Sequence, residues 1–233
     1  MSCNLAYRTF GGKDVIKRFK SVEGRYVEKI YGQDRYGYAK SDFEDFYDLI
    51  QWAERGGYSG LELLIYDFET GEVHKPFEKK RNVVYGTPVW EEQGICFLKG
   101  DYDERLVTLY RYLPEKSPEK VTELSMDEIN LYNLDIIGNP LHIISQEGGE
   151  SLCCYYPERF SFDLGERESV ALIEDGKVYI QEWVEEGWDT ENDCATEDYQ
   201  YYNRILVKDF AGNTISEEIG CLFKCSNGDL WIC

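Results

Sequence analysis

The sequence predicts an all-β chain, and three observations predict it. Aromatic residues make up 15% of the 233 positions, with 19 Tyr, 11 Phe and 5 Trp, and flat rings favour a pleated, half-buried surface. Turn residues punctuate alternating or continuously apolar runs at short intervals, which is the pattern of antiparallel hairpins. The runs themselves recur along the chain, so one small unit is used several times.

Five segments read as inner hairpins. Residues 26–40 turn at Gly32, Gln33 and Asp34; residues 83–99 turn between Glu91 and Gly94; residues 131–145 turn at Gly138, Asn139 and Pro140. Residues 170–184 turn at Asp175-Gly176 and residues 221–233 at Asn227-Gly228, both strong two-residue turn signals. Between them lie second strand pairs in which an apolar run ends in an aromatic. Those aromatics are Phe10, Phe68, Tyr112, Tyr156 and Phe210, at steps of 58, 44, 44 and 54 residues. Blades of four strands repeat at about 40–45 residues, and the two long steps contain insertions. The chain opens on an outer pair, residues 5–10 and 14–19, and closes on an inner hairpin that lacks one. Pairing the two completes a fifth unit and leaves no open end. The fold expected is therefore a single-domain, five-bladed β-propeller over residues 1–233, closed by pairing the N-terminal outer strands with the C-terminal inner hairpin. The structural alternative is a sandwich of two antiparallel sheets.

The outer-strand stretch Leu64-Ile65-Tyr66-Asp67-Phe68-Glu69-Thr70-Gly71-Glu72 resembles the repeats of WD-repeat-like propellers. The Trp-Asp dipeptide that ends such strands is not repeated here, because Trp188-Asp189 occurs once. In size the chain looks like small five-bladed lectins, without their repeated sugar-binding motifs. The resemblance is one of blades and carries no functional residue over.

Two of the connections between second and third strands are short (100–104 and 147–150) and two are long. The first long one reads as a helix near residues 42–55. Ser41 is placed to cap it with Glu44 three residues on, Phe43, Phe46, Tyr47, Ile50 and Ala53 follow at helical spacing, and Gly56-Gly57 ends it. Leu49 and Trp52 fall off that stripe and are expected to present an apolar edge. The second insertion, residues 185–198, reads as a solvated acidic loop carrying Trp188. Its Asp189, Glu191 and Asp193 alternate like calcium ligands, but Cys194 stands where that loop needs Gly and Gln200 where it needs Glu. In a ring of five, these two insertions flank the fifth blade and would wall a groove over it.

Net charge is −20, from 45 acidic and 25 basic residues, which disfavours phosphate backbones and so nucleic acid. No basic stretch leads into an apolar run at the start, and no window approaches a membrane span. The expectation is a cytoplasmic protein, with no membrane association and eight reduced cysteines. No phosphate loop, nucleophile elbow or zinc spacing is found, and no cofactor is expected. His74 and His142 are isolated, and Cys221 with Cys225 would need two further ligands to hold zinc. The function expected is a non-catalytic, monomeric binding module. Its partner is a protein or, less favoured, a carbohydrate, met by Tyr47, Leu49, Trp52, Trp183, Trp188, Asp189, Glu191 and Asp193. The enzymatic alternative is a glycosidase-like propeller with its two carboxylates drawn from Glu23, Asp135, Glu168 and Glu218.

Overall fold

A computed structural model of the chain describes residues 16–42, 44–92 and 94–233. It is an all-β structure of successive antiparallel sheets, with one helix among the described residues. The first sheet pairs β1 (Glu28–Lys29), β2 (Tyr36–Lys40), β3 (Leu63–Asp67) and β4 (Val73–His74) in chain order, with α1 (Leu49–Arg55) between β2 and β3. In the second, β5 (Val83–Tyr85), β7 (Gly94–Asp101), β8 (Leu106–Tyr112) and β9 (Glu119–Ser125) follow one another, and β6 (Val89–Glu91) adds to β7. The third holds β10 (Asp135–Ile137), β11 (His142–Gln146), β12 (Ser151–Tyr156) and β13 (Phe160–Asp163). The fourth holds β14 (Glu168–Glu174), β15 (Lys177–Asp189), β16 (Cys194–Lys208) and β17 (Thr214–Ile219). A hairpin of β18 (Leu222–Lys224) and β19 (Leu230–Ile232) ends the chain. Four meanders and a hairpin replace the two-sheet sandwich that was the alternative.

Two of the repeated units share a local turn device. At the end of β3, Asp67 accepts hydrogen bonds from the backbone N–H of Glu69 (2.9 Å) and Thr70 (3.3 Å). In the fourth sheet Asp209 does the same for Ala211 (3.0 Å) and Asn213 (2.8 Å). A carboxylate that ties down the next turn is why an Asp-Phe pair precedes the outer hairpin in both units.

Consecutive sheets touch through specific groups. Tyr36 meets the Trp90 ring at 6.0 Å, and the Leu141 N–H donates to Glu91 Oε1 at 3.0 Å. A glutamine then plays one role twice: Gln146 Oε1 accepts from the Val170 N–H (2.7 Å) and Gln181 Oε1 from the Leu222 N–H (3.2 Å). The terminal hairpin also meets the first sheet, through the Gly32 N–H to Ser226 O (3.4 Å) and Lys224 over the Tyr31 ring (6.0 Å). One apolar core runs through the first three sheets and a second joins the third to the fourth.

The outer pair expected at 5–10 and 14–19 falls mostly outside the described residues. Its last four, Ile16 to Phe19, carry no strand. Phe19 instead packs edge-on against Tyr66 (4.9 Å) and against Phe68 (5.6 Å) of the first sheet. Among the described residues no helix is long and apolar enough to cross a membrane.

Asp67 supplies a pH prediction. Its side chain is 2% exposed, and burial alone would raise its pKa. The Arg35 guanidinium at 2.8 Å and the N–H groups of Glu69 and Thr70 outweigh burial and hold the carboxyl at about 2. The folded pKa lies below the unfolded one, so the stabilisation is complete above pH 4 and drains away as pH falls towards 2. The loss amounts to about 2 kcal/mol. Urea unfolding at pH 5 and pH 2.5 should show Arg35→Met losing less stability on acidification than the parent. Equal losses would refute the assignment.

Candidate functional site

Three features concentrate functional side chains. The first is a cleft of about 320 Å³ where the first three sheets converge. Lys40 at the end of β2, Glu44 to Phe46 of the insertion, Tyr85 to Thr87 at the end of β5, and Leu131 with Asn133 to Asp135 leading into β10 line it. Water reaches Asp135 through the mouth, yet protein crowds the carboxyl enough that desolvation raises its pKa, against the Ile136 N–H (2.8 Å) and the Lys40 charge. Burial lowers the pKa of Lys40, which Glu28, Asp135 and Asp45 oppose. Glu44 is raised, by desolvation and then by the neighbouring charges of Asp42, Asp48 and Asp45. Beside the cleft, burial and a 2.9 Å hydrogen bond to Glu28 push Tyr38 up to about 12.

The second feature is the helical insertion, which departs from expectation in two ways. The helix begins at Leu49 and not near Asp42. Ser41 does not cap it, because its hydroxyl accepts from the Glu62 N–H (2.9 Å), and Asp42 accepts from the Tyr58 hydroxyl (2.9 Å). Both are drawn to the strand end and leave the helix turn to Asp45, whose carboxylate takes the N–H groups of Tyr47 (2.9 Å) and Asp48 (3.0 Å). Starting later rotates the face. Leu49 is 0% exposed and belongs to the core, so it is no contact residue. Trp52 and Tyr47 stay exposed, Trp52 edge-on to Tyr58 (6.3 Å) and Tyr47 edge-on to Tyr132 (5.4 Å). Phe43 lies outside the described residues.

The third feature corrects the acidic loop. Residues 185–198 form no loop: β15 and β16 continue as a two-stranded ribbon, paired out to Asp189 opposite Cys194. Trp, Tyr and Val suit strands better than coil, and the partner residues that make this visible lie on both sides of the turn. The register shifts between Glu186 and Trp188. The intervening Gly187 has φ of +72°, and a Cβ there would stand 2.7 Å from the Asp198 carbonyl oxygen. At the tip, Asp189 accepts from the N–H of Glu191 (2.9 Å) and Asn192 (3.1 Å) and from the Asn192 side chain (2.7 Å), which lower its pKa. Asp189 thus ties the turn at the ribbon's tip together. Among the described residues no group of three or more His, Cys, Asp or Glu could hold a metal.

One face of the ribbon collects rings. Trp183 and Glu185 share it, with Tyr201 opposite Glu185. The Tyr199 hydroxyl donates to Glu185 (2.8 Å), and its ring meets Trp188 (5.9 Å) and Tyr201 (6.4 Å). Arg167 lies over the Trp183 ring at 4.6 Å and pairs with Glu185 at 3.0 Å. Between residues 185 and 201 the chain has seven carboxylates and no lysine or arginine. Trp183, Trp188 and Tyr201 remain exposed.

The structure therefore places the predicted residues in two groups, Tyr47 with Trp52 and Trp183 with Trp188 to Asp193. Among the described residues no hydrogen bond, ion pair or ring contact links the groups. Sequence reasoning missed Arg167, Glu185, Tyr199 and Tyr201. The run Tyr199-Gln200-Tyr201-Tyr202 opposite Trp183-Val184-Glu185 was a readable signal of continued pairing. Of the proposed carboxylates only Asp135 lines the cleft. Glu168 is paired with Lys208 (2.9 Å), Glu218 is on the outer strand β17, and Glu23 pairs with Arg25 and Lys75 (both 3.9 Å). His142 is buried against Phe210 (6.1 Å) with Nδ1 on the Pro140 carbonyl (2.8 Å), a packed residue. Comparison with protein-family models, with curated proteins and with solved structures finds no match.

Proposed function

We propose that the chain is a non-catalytic binding module, a five-bladed β-propeller whose insertion-bearing face holds a basic segment of a protein partner. Support for the ring comes from the contacts joining each unit to the next, including those from the terminal hairpin back to Gly32 and Tyr31.

One observation carries the functional reading. Arg167 stacks on Trp183 while pairing with Glu185, so the ribbon already receives a guanidinium by cation–π contact and carboxylate together. Tyr199, Tyr201 and Trp188 extend that surface, and its surplus of carboxylates complements a basic chain. Exposed Trp52 and Tyr47, with the acidic cleft beside them, offer the same chemistry on the helical insertion.

The test is anisotropy of a labelled oligoarginine peptide at physiological ionic strength. Tyr201→Ala and Glu185→Gln should each weaken binding about tenfold, whereas Glu78→Gln, an exposed charge elsewhere, should not. Equal weakening by all three would mean unspecific attraction between opposite charges and would overturn the reading. Competition by a neutral oligosaccharide would move the site to carbohydrate.

A glycosidase-like reading has one observation in its favour: Glu44 and Asp135 line the same cleft and both carboxyls are raised. It requires hydrolysis of an aryl glycoside that Asp135→Asn and Glu44→Gln both abolish. No turnover across a panel of such substrates would remove it.

A further inference from the structure

The chain's last thirteen residues hold three of its eight cysteines, Cys221, Cys225 and Cys233. β18 and β19 carry only three residues each, and Phe223, Leu230, Trp231 and Ile232 on them are exposed. A two-stranded hairpin that buries so little is marginal in water. Yet this hairpin makes the contacts from the fourth sheet to the first, through Leu222 with Gln181 and Ser226 with Gly32.

Cys221 and Cys233 face each other at its base. The Cys221 N–H donates to Cys233 O (2.9 Å) and the Cys233 N–H to Cys221 O (3.1 Å). That reciprocal pair sets the Cα atoms about 5.5 Å apart, inside the range a disulfide spans. The two sulfurs lie 3.3 Å apart. Neither residue is buried, so a thiol reagent reaches both. Cys96 and Cys154, in contrast, are buried. Cys225 lies at the other end of β18, where its N–H bonds to Asp229.

We infer that Cys221 and Cys233 are a disulfide site, closed by a disulfide oxidant, that staples the terminal hairpin at its base. The thiolate of the more exposed Cys233 attacks a sulfur of the oxidant and expels one thiol. The Cys221 thiol then gives up its proton, attacks the mixed disulfide and expels the second. Two cysteine thiols become one disulfide, and the oxidant is reduced to two thiols. The pair therefore leaves the reduced state expected from composition for all eight cysteines. Closing it holds β18 and β19 together, and with them the contact to Gly32.

The experiment is incubation of the whole chain in oxidised glutathione, then intact mass and non-reducing digestion. Cleavage after Lys224 and before Asp229 puts the three cysteines on separate peptides. The expected result is a loss of two hydrogens, a Cys221–Cys233 linked peptide that persists in Cys225→Ser, and its absence in Cys221→Ser. Amide exchange at Leu222 and Gly32 should slow about tenfold on oxidation. A Cys221–Cys225 link, glutathione retained on either cysteine, or an unchanged mass would overturn the inference.

Discussion

Replacing Phe97 with alanine is expected to lower the unfolding free energy by about 3–5 kcal/mol. Phe97 lies at the middle of β7, is 0% exposed and ranks among the largest fully buried side chains. Three rings surround it: Tyr85 at 6.0 Å, Tyr110 at 6.2 Å and Phe77 at 6.4 Å. Truncation removes the buried area and leaves a cavity that rings held by two neighbouring strands cannot collapse into. Edge and face contacts add to that loss. Phe97→Leu keeps most of the volume and should cost about 1–2 kcal/mol. Urea unfolding of the three proteins measures the series. A loss under 1 kcal/mol for the alanine variant would show that this core is not where the stability resides.

Replacing Gly138 with alanine should cost about 3 kcal/mol, for a reason of close approach. Gly138 has φ of +88°, and a Cβ there would stand 2.1 Å from the Ile173 carbonyl oxygen. Backbone cannot yield as a flexible side chain does, so β10 and β14 must separate. Separation breaks the hydrogen bond from the Asn139 N–H to Ile173 O (3.2 Å) and the bridge between Asn139 and Glu174. It also uncovers Ile173, now 0% exposed. Gly138→Asn distinguishes the two penalties. Asparagine tolerates positive φ but brings the same Cβ, so it should lose nearly as much as alanine. Recovery to within about 0.5 kcal/mol of the parent would mean that backbone conformation alone sets the cost, and the close junction would be wrong.

Strands and turns were legible where the information is local. Asp175-Gly176 and Asn227-Gly228 lie between strands as their turn chemistry requires, and the aromatic ends at Tyr112 and Tyr156 close β8 and β12. The candidate site was legible only in part. Trp52, Trp183 and Trp188 are exposed, whereas Leu49 is core because the helix starts at a point set by distant groups. Asp135 was one of four carboxylates with nothing in the sequence to separate it from the others. Its raised pKa comes from protein crowded around it by three sheets, and no local pattern encodes that.

The sequence by itself determined the all-β class, the order of the hairpins and the places where strands turn, because pleat period and turn conformation depend on adjacent residues. Tertiary structure alone decided the rest. Glu62 and Tyr58 take Ser41 and Asp42 away from the helix. Cross-strand register turns an acidic loop into a ribbon that lays Arg167 over Trp183. The return of the last strand beside the one before it brings Cys233 to Cys221. Each of these depends on a partner many residues away, whose position is fixed only when the sheets are assembled.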